Sequence, residues 1–372
     1  MKQNLTHQLN QLLTWGKGET FYSLVNADGK RWIMPARHMR VGMNLYQPSG
    51  PKGKLVKWAL PWIYGNPMVQ RVLHLERVQL ALGADLQKLL AAVFGGASWE
   101  FSIFCGTPCV HQKITVQISR GKRILGYVKV TESEDIRQIF THEEQVLQTL
   151  HQSGIEQVPE CLYCGMLGDG LAVFVQSTIK TLHSKVVHHW DNRHWQFLTD
   201  MEHRTQRTVR FEDSDFCHDL DRLACLLPQE TWGESVREAI GKVKAHYVGK
   251  DVKFSAFHAD FTPWNMLAEK GQLYVFDWEY ARLTYPVCLD FFHFLVQTAV
   301  FEDHLTAEKI VCRYQQVRDR LKNRWDDPDF AFLCYLLAVM SIYVQREQGQ
   351  LSDELKARIN FWLTLLNALL HE

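Results

Sequence analysis

Residues 113–119 alternate polar and apolar side chains, the two-residue period of a half-buried strand. Arg120-Gly121-Lys122 then makes a turn, and 124–130 returns as a second strand. Over residues 134–151 the apolar positions Ile136, Ile139, Val146, Leu147 and Leu150 fall instead on one face of a helix. Further strands are predicted at 99–104, 160–167 and 171–176, the last two joined by Gly168-Asp169-Gly170. Together they complete a five-stranded antiparallel lobe. Beyond it the pattern is helical at 190–204, 234–247, 290–301, 307–325 and 352–370, broken by one short apolar strand, Leu273-Tyr274-Val275-Phe276. Residues 330–344 carry no charge; the run is too short to span a bilayer and reads as a buried helix. The predicted class is α+β, a small antiparallel-sheet lobe over 96–177 followed by a mainly helical lobe over 178–372. Residues 1–95 stand ahead of both as an extension.

The chemistry concentrates around the short strand. Phe257-His258-Ala259-Asp260-Phe261-Thr262-Pro263-Trp264-Asn265 precedes it, and Phe276-Asp277-Trp278-Glu279 follows. His-x-Asp, an Asn five residues after that Asp, and a second Asp ending an apolar strand is the arrangement by which kinases place a base and two metal ligands around ATP. The bland alternative is a turn, since Asp and Asn bond their own backbone and Pro263 suits one. These residues resemble the aminoglycoside phosphotransferase and choline kinase-like family, whose pattern is His-Gly-Asp-x-x-x-x-Asn followed by Ile/Phe-Asp-Trp-Glu. Ala259 stands where that family usually has Gly. The resemblance implies a bilobal protein kinase-like fold in which Asp260 accepts or orients a hydroxyl proton, with His258 as scaffold of the loop. It implies further that Asn265 and Asp277 hold Mg²⁺ on the phosphates of ATP, and that Asp290 supports the catalytic region.

A kinase of this kind needs a phosphate-contacting lysine on a strand and a glutamate on the next helix. Lys129 lies on the strand at 124–130. Glu143 in His142-Glu143-Glu144 aligns best as its partner, with Glu144 as the second choice. Read without the downstream motif, they are a solvated strand lysine and an exposed helix acid. The loop Cys105-Gly106-Thr107-Pro108-Cys109-Val110-His111 has a single glycine. Its backbone N–H groups and Thr107 either cap the phosphates or form a plain hairpin loop. Gln176 and Ser177 fall where the hinge would receive adenine.

Composition narrows the partners. The chain has 372 residues, 46% of them hydrophobic, and 41 basic against 41 acidic side chains, so no net charge marks a dedicated nucleic-acid binder. Residues 30–71 nevertheless contain Lys30, Arg31, Arg37, Arg40, Lys52, Lys54, Lys57 and Arg71 and no acid. Tryptophans, tyrosines and prolines are interleaved with them. That segment reads either as an irregular cap or as a surface for an anionic sugar, glycan or membrane headgroup. Glu212, Asp213, Asp215, Asp219 and Asp221 read as a solvated helix face or as an attractor for a cationic acceptor such as an amino sugar. Nine cysteines without a signal peptide imply reduced thiols and a cytoplasmic location. Zinc held by Cys105, Cys109, Cys161 and Cys164 is disfavoured, because strand positions three apart face opposite ways. The function expected is phosphoryl transfer from ATP to a hydroxyl of a sugar, amino sugar or glycan precursor. The alternative is a nucleotide-binding pseudokinase-like module acting with a polysaccharide-assembly partner, the setting in which similar extensions occur by resemblance.

Overall fold

The computed structural model describes residues 2–48, 50–96, 98–107, 112–168, 170–227, 231–347 and 352–370. The chain divides into two compact units. The first comprises 1–148 and 159–184, the second 149–158 and 185–372.

In chain order the first unit holds α1 (Lys2–Leu12), β1 (Leu13–Val25), β2 (Arg31–Pro35), α2 (Met39–Gly42), α3 (Pro51–Ile63) and α4 (Pro67–Val72). There follow β3 (Glu76–Leu82), α5 (Ala84–Phe94), β4 (Glu100–Phe104), β5 (Ile114–Arg120), β6 (Arg123–Thr131), α6 (Glu134–Gln152), β7 (Cys161–Leu167) and β8 (Leu171–Ser177). All eight strands form one sheet in the order β3-β1-β2-β4-β5-β6-β8-β7, every neighbour antiparallel. The five expected strands are thus extended by three from residues 1–95, through Trp32 and Ile33 of β2 opposite Phe104 and Ile103 of β4. Most of the described residues of 30–71 are in regular strands and helices rather than irregular. Pro51 and Pro67 sit in the first turn of α3 and α4, where the missing N–H costs nothing and the fixed φ favours the helix. One face of the sheet buries Ile33, Ile103, Val116, Val128 and Val173 with Leu9, Leu86 and Leu90 of α1 and α5. Tyr22, Trp32 and Met34 pack with Met39 and Leu60 in a separate cluster. β6 and β8 meet at Gly126, where a Cβ would stand 2.3 Å from the Gln176 carbonyl oxygen.

The register of β7 slips between Cys161 and Tyr163, so Cys161 opposes Gln176 while Cys164 opposes Phe174. This bulge defeats the alternation rule. Both thiols interact with Glu144, and Cys161 Sγ lies 3.9 Å from its Oε1. Burial and that carboxylate push Cys161 up to about 12 and Cys164 up to about 11.

The second unit holds α7 (Asn192–Thr205), β9 (Arg207–Arg210), α8 (Asp215–Leu226), α9 (Thr231–Tyr247), β10 (Asp251–Phe257), β11 (Met266–Glu269) and β12 (Gln272–Val275). It continues with β13 (Arg282–Tyr285), α10 (Leu289–Phe301), α11 (Ala307–Leu321), α12 (Pro328–Arg346) and α13 (Asp353–Leu370). β13-β10-β9 is a three-stranded sheet and β11-β12 a hairpin. α12 is long and apolar enough to cross a membrane by length and composition, yet most of it is buried in the core of this unit.

The acidic stretch is partly structural. Asp215 accepts the backbone N–H of Leu283 and Thr284, both at 3.0 Å, tying α8 to β13. Asp219 is buried and accepts from Arg282 Nε at 2.8 Å, Tyr285 Oη at 2.6 Å and Gln345 Nε2 at 3.1 Å. Burial alone would push its carboxyl up; Arg282, Tyr285 and Gln345 outweigh burial and hold it below the ordinary range. Asp221 pairs with Lys244, and Glu212 with Arg210 at 3.2 Å. Glu212, Asp213 and Asp221 are exposed and keep the character of a solvated face, so the structural role falls to Asp215 and Asp219.

Candidate active site

β10 ends at Phe257 and delivers His258, Ala259 and Asp260 in succession. The turn is held from behind. Asp290, in the first turn of α10, accepts the backbone N–H of His258 at 2.9 Å and that of Ala259 at 3.2 Å. Burial pushes the Asp290 carboxyl up to about 8 against those two bonds. Ala259 has φ 69°, the left-handed region that costs an L-residue about 1–2 kcal/mol, so the family's usual glycine at this point has a steric reason.

His258 is fully buried. Its Nδ1 accepts the backbone N–H of Asp260 at 3.1 Å, and its Nε2 donates to the Phe276 carbonyl at 3.1 Å. That pattern defines the neutral Nε2–H tautomer. Burial holds the imidazole down at about 4, against the opposing pull of Asp260. The ring thereby joins the 258–260 turn to the strand exit at Phe276, and it packs edge-on against Trp278 with centroids 4.4 Å apart.

The Asp260 side chain is 34% exposed, and both of its oxygens are engaged. Asn265 Nδ2 donates to Oδ2 at 2.7 Å and to the Asp260 carbonyl at 3.0 Å; His293 Nε2 lies 3.3 Å from Oδ1. Because a carboxylate only accepts, His293 must carry its proton on Nε2. Asn265 closes a 3₁₀ turn begun by Pro263, which brings it back over the Asp five residues earlier. With its amide nitrogen committed to Asp260, its oxygen is the atom left to meet a cation. Asp277 follows the β11-β12 hairpin in the left-handed conformation, φ 71°, which Asp tolerates better than most residues. Its carboxylate lies within 4.8 Å of that of Glu279. Hard oxygen donors of this kind suit Mg²⁺.

In the first unit Lys129 of β6 donates to both oxygens of Glu143 on α6, at 2.9 and 2.8 Å. The lysine is 6% exposed and the glutamate 0%. Geometry selects Glu143 over Glu144, which turns toward Cys161 instead. Gln176 is buried, and its Oε1 has no hydrogen-bond partner among the described residues. Ser177 Oγ accepts the backbone N–H of Glu160 at 2.9 Å. Thr107 is exposed beyond Gly106; residues 108–111 of that loop lie outside the described residues.

Two contributors were not singled out in the sequence, His293 and Glu279. His293 sits three residues after Asp290 on one helix, so the i, i+3 spacing was its signal. Glu279 closes the Asp-Trp-Glu triplet itself.

The family described as Phosphotransferase enzyme family (APH) matches residues 138–322. No curated protein matches the chain. Among solved structures the chain is similar to aminoglycoside phosphotransferase APH(4)-Ia, with a TM-score of 0.50 over 77% of this chain and 98% of that one at 13% identity. The fold is kinase-like. A thermostable mutant of the same enzyme, solved as a ternary complex with AMP-PNP and hygromycin B, gives a TM-score of 0.50 at 14% identity, covering 77% and 98% of the two chains. In this kinase-like fold, residues 138–322 include Glu143 and the whole segment from His258 to His293.

Proposed function

We propose that the chain is a small-molecule kinase that moves the γ-phosphoryl group of ATP to a hydroxyl of a sugar, amino sugar or glycan precursor. The observation that carries this reading is Asp260, an accessible carboxylate whose orientation is fixed by Asn265 and His293 on its two oxygens. An incoming hydroxyl donates its hydrogen bond to Asp260, which orients the oxygen for in-line attack and takes the proton as the phosphoryl group transfers. His258 stays neutral and holds the turn; it moves no proton. Asn265 and Asp277 would hold Mg²⁺, with Glu279 beside them. Bound there, the ion neutralises charge on the phosphates. Lys129, kept in one rotamer by Glu143, contacts the nucleotide phosphates, and Gln176 and Ser177 belong to the adenine subsite. The acceptor class rests on the resemblance of the His-Ala-Asp and Asp-Trp-Glu motifs.

The test is ADP release from Mg-ATP across sugars, amino sugars, sugar phosphates and nucleosides. Stimulation by one class, lowered about 100-fold or more in Asp260→Asn, is the expected result. Turnover that survives this substitution would remove Asp260 from the chemistry, and with it the reading. Nucleotide binding with no acceptor turnover would point to the binding-module alternative.

A further inference from the structure

α3 is apolar on two opposite sides. Leu60 turns inward with Val56 and Tyr64 packed beside it, toward the cluster of Trp32, Met34 and Met43. Leu55, Trp58 and Trp62 are spaced i, i+3, i+7 and so form a second stripe, which stays in solvent: Trp58 is 72% exposed and Trp62 73%. α4 adds two more exposed apolar side chains, Met68 at 76% and Val72 at 73%. A surface helix ordinarily sets polar residues opposite its core face, and an exposed apolar patch rimmed by polar groups marks an interaction site.

The charge around the stripe identifies what it meets. Lys52 and Lys54 are exposed on the first turns of α3, and Arg71 is exposed on α4. No Asp or Glu occurs anywhere in residues 30–71. A protein groove could receive the apolar side chains, but a segment that carries exposed basic side chains and no carboxylate of its own complements a uniformly anionic surface. Tryptophan suits the boundary between headgroups and acyl chains, and lysine can lay its stem on apolar surface with its ammonium among phosphates. We propose that α3 and α4 dock the first unit on an anionic lipid bilayer. Leu55, Trp58, Trp62, Met68 and Val72 enter the acyl boundary, and Lys52, Lys54 and Arg71 meet the headgroup phosphates.

Sedimentation of the full chain with phosphatidylglycerol vesicles and with phosphatidylcholine vesicles tests this. Wild type is expected to sediment with the anionic vesicles only, with a blue shift of tryptophan emission. The affinity falls tenfold or more in Trp58→Ser/Trp62→Ser and in Lys52→Glu/Lys54→Glu, and the melting temperature stays unchanged because these side chains stand in solvent. Binding to neither vesicle, or binding that the tryptophan variant leaves intact, overturns the proposal. Self-association lost in that variant, without vesicle binding, would assign the face to a second copy of the chain and overturn it equally.

Discussion

With Nδ1 accepting a backbone N–H and Nε2 donating to a carbonyl, His258 has no place for a second proton. Protonation would set an N–H against the Asp260 N–H and open the 258–260 turn. The imidazole titrates at about 4 in the folded chain and at 6.5 unfolded, so the unfolded state takes up the proton first as pH falls. Stability from this residue is complete above pH 6.5 and lost between 6.5 and 4, by about 3 kcal/mol at full extent. Asp290 runs the other way: its raised value adds stability as pH falls from about 8. Urea unfolding of wild type against His258→Asn at pH 7 and pH 4.5 separates the two, and the variant should lose less stability on acidification by most of that amount. An equal loss in both would mean His258 is protonated in the folded chain. At this scale the sequence was most readable where contacts are local. Asp260 and Asn265 meet because Asn265 is only five positions on, with Pro263 among the four residues between. The His293 contact depends instead on how α10 approaches the turn, and the left-handed φ of Ala259 is a tertiary demand that alanine does not announce.

Glu143 has no exposed surface and Lys129 almost none, so their bond joins β6 to α6 inside a low-dielectric core. Removing one partner takes the ion pair away from a buried charge. Lys129→Met should therefore cost about 3–5 kcal/mol in denaturant titration. Lys129→Met/Glu143→Leu removes both charges, and such apolar replacements are often neutral or stabilising, so it should recover most of that loss. If Lys129 contacts phosphates, the double variant regains stability while nucleotide affinity stays low. Recovery of both would reduce the pair to structural glue. Strands β4 to β8 and helix α6 were legible because period-two and period-3.6 patterns are strong in isolation. Helices α3 and α4 were not, because prolines that read as breakers in the sequence sit in their first turns as Pro51 and Pro67, and α3 also accommodates Pro61 in its interior. The helix predicted from 190 begins after Asp191, whose side chain accepts the Arg193 N–H at 2.9 Å and caps α7. A bulge of one residue was enough to turn Cys161 and Cys164 to the same carboxylate, against the expectation from strand alternation.

Residues 1–95 supply three strands of an eight-stranded sheet and much of what covers it. A chain cut to 96–372 would bare the edge of β4 and expose Phe101 and Ile103, which Phe21 and Ile33 cover in the full chain. It should aggregate or lose sheet signal in circular dichroism and elute in the void on gel filtration; a monomeric, cooperatively melting fragment would show that the five-strand core suffices. Net charge of zero gave no hint of this dependence, because strand pairing across the sheet is invisible to composition. The second unit has a dependence of its own. It takes residues 149–158 from the middle of the first, with Leu150, Ile155 and Val158 buried and the Gln157 carbonyl accepting the Val275 N–H at 2.9 Å. The backbone therefore passes from one unit to the other at 148/149, 158/159 and 184/185. A recombination event with one breakpoint between two related genes leaves at least one unit a hybrid at its buried seams, so the two units are inherited as a pair, and neither is a cassette that can be exchanged by itself.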